Sequence, residues 1–150
     1  MESWVIIEIS GSSFSATLSF SDNHLIGYFI EYNGDGENFT INGANLGITI
    51  NRYYYIDESD KEKTVERVDF ETPEDKDLLA KFNETLMEKF KEKIAKRQIS
   101  EVEARQFLLE LLNYINDKIT KGGITSLIEK VKSAVKNENV KVEFRKPDKQ

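Results

Sequence analysis

Short alternating runs of apolar and polar residues fill the first seventy positions, and longer four-residue repeats fill most of the rest. Ser3–Ser10 reads as a largely buried strand, with Val5, Ile7 and Ile9 opposite Trp4, Ile6 and Glu8. Phe14–Phe20 alternates Phe14, Ala16, Leu18 and Phe20 with Ser15, Thr17 and Ser19, the pattern of a half-buried strand, and Ser10–Ser13 makes a short hairpin loop before it. His24–Tyr32 admits two readings. Asp22 or Asn23 could cap a short helix with a Leu25, Ile26 and Phe29 stripe, or the segment is a strand running into the turn Asn33-Gly34-Asp35-Gly36. The second reading is preferred, with Glu37–Asn42 as the return strand. Leu46–Ile56 and Thr64–Glu71 complete the strand-rich part.

Helical periodicity begins after Thr72, a capping residue followed by Pro73 at the first helical position and by Glu74, Asp75 and Asp77 at the positive end. Leu78, Phe82, Leu86, Phe90 and Ile94 predict one helix to about Arg97, with Leu79 and Met87 beside the stripe and Leu86 at its buried middle. Ser100 and Glu103 form a capping box for a second helix with Ala104, Phe107, Leu108, Leu111, Ile115 and Ile119 inward, stopped by Gly122-Gly123. A third starts near Thr125 with Leu127, Ile128, Val131 and Val135 inward. Val140, Val142 and Phe144 then alternate with Lys141, Glu143 and Arg145, as an edge strand would. The expected fold class is α+β: one domain over residues 1–150, with a strand-rich part 3–71, a helical part 74–137 and a terminal strand 140–145. Helices pack on one face of an antiparallel sheet.

Charge divides the chain at the same place. All six charges before Arg52 are acidic: Glu2, Glu8, Asp22, Glu31, Asp35 and Glu37. The remaining acidic residues balance the 21 Lys and Arg, so the net charge of −6 belongs to the first third. Phosphate contacts need clustered cations, so nucleic acid is not an expected partner. The run Arg52-Tyr53-Tyr54-Tyr55 could stack on bases but sits in the acidic part, and packing explains it. Lys89, Lys91, Lys93, Lys96 and Arg97 alternate with Glu88 and Glu92 as a solvated helix face does. No stretch approaches the ~20 apolar residues of a spanning helix and no leader pattern opens the chain, so membrane insertion is not expected. The absence of cysteine removes disulfide and thiolate chemistry and suits a reducing, cytoplasmic setting. In that setting the sequons at Asn38 and Asn83 are chance matches.

Chemistry-bearing residues are few. His24 is the single histidine, which excludes two-histidine metal sites; Ser12 and Ser13 lie near it in sequence without the spacing of a nucleophile–base pair. Asp57, Glu58, Asp60 and Glu62 form an acidic turn that lacks the glycine of a calcium loop. Glu8, inside an apolar strand, could act as an acid or base if buried, but alternation puts it with Trp4 and Ile6 on the less buried face. The glycines match neither a phosphate loop nor a dinucleotide fingerprint. No cofactor, metal or catalytic residue is expected.

The segments WVIIEIS, FSATLSFSDNHLIGYFIEY and VERVDFETPEDKDLLAKFNETLMEKFKEKI resemble, in order, the longin-like adaptor domains of trafficking and small-GTPase systems over residues 3–97. That family runs two strands into a helix, three more strands, and helices packed on the sheet. The run from Tyr53 to Arg97 also resembles the pleckstrin-homology-like fold, where strands precede one capping helix. Both resemblances imply recognition rather than catalysis. The expected function is a small intracellular protein-binding adaptor or regulatory subunit without catalytic activity. The longin-like resemblance implies a small GTPase or trafficking component as partner, and homo-oligomerisation stays open. An acidic inhibitor or decoy, cellular or viral, acting on nucleic-acid-handling machinery is the alternative, and a carboxylate-dependent hydrolase using Glu8 the third. The partner surface is expected at Trp4, Ile6 and Glu8.

Overall fold

The computed structural model describes residues 4–34, 37–44, 50–56, 65–70, 80–85, 87–118 and 124–146. Its strands are β1 (Trp4–Ser10), β2 (Phe14–Ser21), β3 (His24–Gly34), β4 (Glu37–Ala44), β5 (Ile50–Ile56), β6 (Val65–Phe70) and β7 (Lys141–Arg145). They form one antiparallel sheet in the order β6-β5-β4-β3-β2-β1-β7. The first six strands are a meander in which each pairs with its predecessor, and β7 returns to the far side of β1. The fold is α+β, as the alternation predicts.

Residues 24–34 are a strand. Asp22 and Asn23 take φ values of 51° and 65°, the left-handed pair that a two-residue hairpin turn requires and that Asp and Asn tolerate. The segment looked partly helical because the β2–β3 register slips at Ile26: Phe20 pairs with Leu25, but Ser19 pairs with Gly27. This bulge flips the alternation, so Leu25 and Tyr28, three apart, both point into the core.

The continuous helix expected to Arg97 is broken. Residues 80–85 are helical, Met87–Lys89 form a 3₁₀ turn, and α1 spans only Lys91–Ala95. A four-residue repeat advances about 40° per step beyond a full turn of an α-helix, so a straight helix would carry the apolar stripe off the core. Breaking the rod at Met87 keeps Phe82, Met87, Phe90 and Ile94 all buried. Arg97, at φ 54°, then closes α1: the Gln98 amide donates to the Lys93 carbonyl (2.9 Å) and the Arg97 amide to the Ile94 carbonyl (3.1 Å). The expected helix start at Thr72-Pro73, Leu78 and Leu79, the stripe position Leu86, the strand start Leu46 and Ile48, the acidic turn 57–62 and the glycine pair 122–123 lie outside the described residues.

The remaining helices follow the sequence pattern. α2 spans Glu101–Lys118 and α3 spans Ile124–Asn137. The capping box is formed: the Glu103 amide donates to Ser100 Oγ (3.1 Å), and the Ser100 amide to Glu103 Oε1 (3.0 Å). Lys93 adds an ion pair at 2.9 Å. The Ser100 amide, then Lys93, hold the Glu103 carboxyl below the usual range.

Val5, Ile7, Ile9, Ala16, Leu18 and Ile30 on one face of the sheet meet Leu108, Leu111, Ile115, Ile128, Val131 and Val135 from the helices. Phe107 is the aromatic centre of this layer, with ring centroids 5.9 Å from Phe20, 5.5 Å from Phe82 and 5.1 Å from Phe90. Asn83 stitches the helical segment to the sheet: its side-chain amide accepts from the Leu25 amide (2.8 Å) and donates to the Leu25 carbonyl (3.0 Å). One side chain thus stands in for a strand beside β3, where β4 ends opposite Gly27.

Candidate functional site

The other face of the sheet carries the side chains that the helices leave uncovered. Along β1, burial alternates: Val5, Ile7 and Ile9 face the core, while Trp4, Ile6 and Glu8 turn the other way. β2 supplies a floor of hydroxyls, Ser15, Thr17, Ser19 and Ser21, all half-buried. Register places Trp4 beside Ser21, Ile6 beside Ser19 and Glu8 beside Thr17. Across β2, Phe29 on β3 pairs with Thr17. Trp4 is 41% exposed and Phe29 39%, the two large apolar side chains of β1, β2, β3 and β7 left this open. A polar strip therefore lies between two exposed aromatic rings, with Ile6 beside one of them.

Glu8 is held on this face by Arg145 of β7, whose guanidinium donates to Glu8 Oε2 at 3.0 Å. Both side chains are substantially exposed, so the pair is worth no more than about 1 kcal/mol. Across the β1–β7 ladder, Glu8 pairs directly with Glu143.

A second polar cluster sits at the β1–β2 hairpin. The Ser13 amide donates to Glu138 Oε1 (2.9 Å), the Ser13 hydroxyl donates to Glu138 Oε2, and the Asn33 amide donates to the Ser13 carbonyl (2.8 Å). Partial burial opposes ionisation of Glu138, but these bonds and those from Ser12 outweigh it and hold the carboxyl below its usual range. Gly11 leaves room for this link, since a Cβ there would lie 2.6 Å from Glu138 Oε1 and 2.6 Å from the Phe14 ring, and one of them would have to shift. Clefts of about 350 Å³ and 330 Å³ flank this link, the first lined by Tyr32, Lys130 and Asn137, the second by Ser10, Ser12 and Glu31. The cluster pins the end of α3 to the hairpin.

His24 lies at the other end of β2 from Ser13, roughly 25 Å away at the rise of an extended strand. Its ring nitrogen contacts the Asp22 carbonyl at 2.9 Å in an exposed turn. Ser12, Ser13 and His24 are therefore not brought together. Glu8 lines neither cleft. Among the described residues no group of three or more His, Asp and Glu could hold a metal ion, and no helix is long and apolar enough to cross a membrane.

Sequence reasoning missed Phe29, Arg145 and Glu138. Phe29 becomes visible only once 24–34 is read as a bulged strand. Arg145 follows from pairing β7 with β1. Glu138 carries no local signal, because its partner Ser13 is 125 positions away.

No family model, no curated protein and no solved structure matches the chain. A meander with helices on one face is generic and assigns neither the longin-like nor the pleckstrin-homology-like family.

Proposed function

We propose that this chain is a small protein-binding adaptor or regulatory subunit that works by recognition rather than catalysis, and that it engages its partner through the open face of the sheet. The observation carrying this reading is the exposure of Trp4 and Phe29 on a face whose reverse side is packed by helices. Leaving two aromatic rings and Ile6 at a surface is unfavourable in isolation, and tryptophan is favoured at binding hot spots. The hydroxyl strip between them can exchange water for a partner's polar groups. Glu31 and Asp22, exposed in the acidic first third, add steering toward a basic surface. The cytoplasm is the compartment this reading assumes, and the longin-like resemblance makes a small GTPase or trafficking component the first partner to try.

The test is quantitative affinity capture from cells of the source organism, comparing the wild-type chain with Trp4→Ala/Phe29→Ala, with thermal melting as the control for folding. Partners lost from a variant that melts like wild type support the open face. An unchanged partner set overturns it. A polymerase or nuclease among the partners lost would favour the acidic-inhibitor alternative over the adaptor.

A further inference from the structure

The terminal strand β7 is an edge whose hydrogen-bonding phase can be worked out. The Gly11 amide donates to the Phe14 carbonyl at 3.0 Å, so Gly11 and Phe14 are a bonded pair of the β1–β2 ladder. Bonded and non-bonded pairs alternate along an antiparallel ladder. Ile9, Ile7 and Val5 therefore exchange bonds with β2, and Ser10, Glu8 and Ile6 direct their backbone groups to β7. The two-residue turn at Asp22-Asn23 gives the same phase from the far end of β2, and Asn83 reaches the Leu25 backbone on the side this phase requires. Across the β1–β7 ladder, Ser10, Glu8 and Ile6 pair with Lys141, Glu143 and Arg145. Those three residues turn their backbone groups inward. Val142 and Phe144 turn theirs to the outer edge, where no strand among the described residues receives them.

The side chains of this edge are complementary to themselves. On the open-face side, Lys141, Glu143 and Arg145 alternate in sign; Arg145 is taken by Glu8, while neither Lys141 nor Glu143 has an ion-pair partner among the described residues. On the helix side stand Val142 and Phe144, partly buried against the core, after Val140, which precedes the strand and is itself a core residue. No proline or bulge guards the strand.

We propose that β7 pairs antiparallel with β7 of a second copy of this chain, about a two-fold axis that sets Val142 opposite Val142. This register places Lys141 opposite the second copy's Glu143 twice, by symmetry, and Phe144 opposite Val140 twice. Centring on Glu143 instead would oppose two glutamates and set Lys141 against Arg145. Centring on Phe144 would set Val142 against Lys146 and recruit the Arg145 that Glu8 already holds. Only the first register pairs apolar with apolar and satisfies the two unpaired charges. The contact is isologous and closes as a dimer. It is independent of the open-face reading above.

The experiment is sedimentation equilibrium on the full chain up to about 500 µM, since self-association follows mass action. A concentration-dependent dimer is expected. Glu143→Lys should weaken it roughly tenfold or more, because two cross-strand attractions become repulsions. Lys141→Glu/Glu143→Lys should restore it. Folding should survive both variants, since a lysine at 143 faces Glu8 within its own chain, and circular dichroism melts check this. A monomer at every concentration overturns the proposal. So does a dimer indifferent to Glu143→Lys, or a double reversal that fails to restore it. A dimer lost instead in Trp4→Ala would belong to the open face and would equally overturn it.

Discussion

Arg105, on α2, closes the end of a different helix. Its guanidinium donates to the carbonyls of Val135 and Glu138, the latter at 2.8 Å, and approaches that of Lys136 at 3.4 Å. These are carbonyls at and beyond the end of α3 with few intrahelical donors left, and a cation there also meets the negative end of the helix dipole. Val135 is fully buried, so water cannot easily replace the guanidinium at its carbonyl. A hydrogen bond from a charged donor is worth about 1.5–3 kcal/mol. Two such bonds, discounted for water reaching the Glu138 end, put the cost of Arg105→Met at about 2 kcal/mol. Arg105→Lys keeps the charge and one bond of the fork, so it should cost about 1 kcal/mol. In a chain of this length these correspond to drops of about 4–8 °C and 2–4 °C in melting temperature. Urea denaturation of the three proteins measures the difference, and hydrogen exchange should show faster opening of amides near 135–140 in the Met variant. A loss below about 0.5 kcal/mol, or a Met variant as stable as the Lys variant, would show that the guanidinium is an ornament on a helix end that water already satisfies.

Glu138 predicts a pH effect. Its folded pKa lies below the unfolded one, so its contribution is present above the ordinary carboxylate range and is lost as pH falls through that range toward the folded value. The stability deficit of Glu138→Gln, measured in urea, should be full at pH 7 and shrink below about pH 4; a deficit independent of pH would refute the assignment. Phe107→Ala removes the ring shared by Phe20, Phe82 and Phe90 and should cost about 3–5 kcal/mol, with a loss under about 1 kcal/mol arguing against that packing. Duplex DNA and RNA should not bind at physiological salt, and micromolar binding that weakens steeply with added salt in a filter assay would revive the tyrosine run as a stacking platform.

Most of this architecture was legible because it rests on local periodicity. Strands β1, β2 and β7, the Ser100 capping box and the stripes of α2 and α3 follow from residues within a few positions of one another. The less legible parts depend on phase errors and distant partners. The Ile26 bulge makes a strand imitate helical spacing, and a four-residue repeat imitates one long helix where the chain needs a break at Met87. The left-handed residue ending α1 is Arg97 rather than glycine, so the stop carries no composition cue. The exposed face of β1 could be read from alternation alone, but Phe29 depends on the bulge, and the links from Asn83 to Leu25 and from Ser13 to Glu138 join residues 58 and 125 positions apart. No local pattern encodes such pairs.

The adjacency of β7 and β1 sets the order in which the molecule can be completed during synthesis. Strands β1 to β6 each find a partner in the segment made just before or after, so the meander closes hairpin by hairpin. The outer backbone groups of Ile6, Glu8 and Ser10 must wait for residues 141–145. At typical synthesis rates that interval is on the order of ten seconds. Throughout it, β1 presents an unpaired edge, and until α2 and α3 are made Val5, Ile7 and Ile9 lie uncovered as well. A ribosome stalled after α3 would hold a chain with every described helix and strands β1 to β6, yet with β1 still open to pairing with a neighbour.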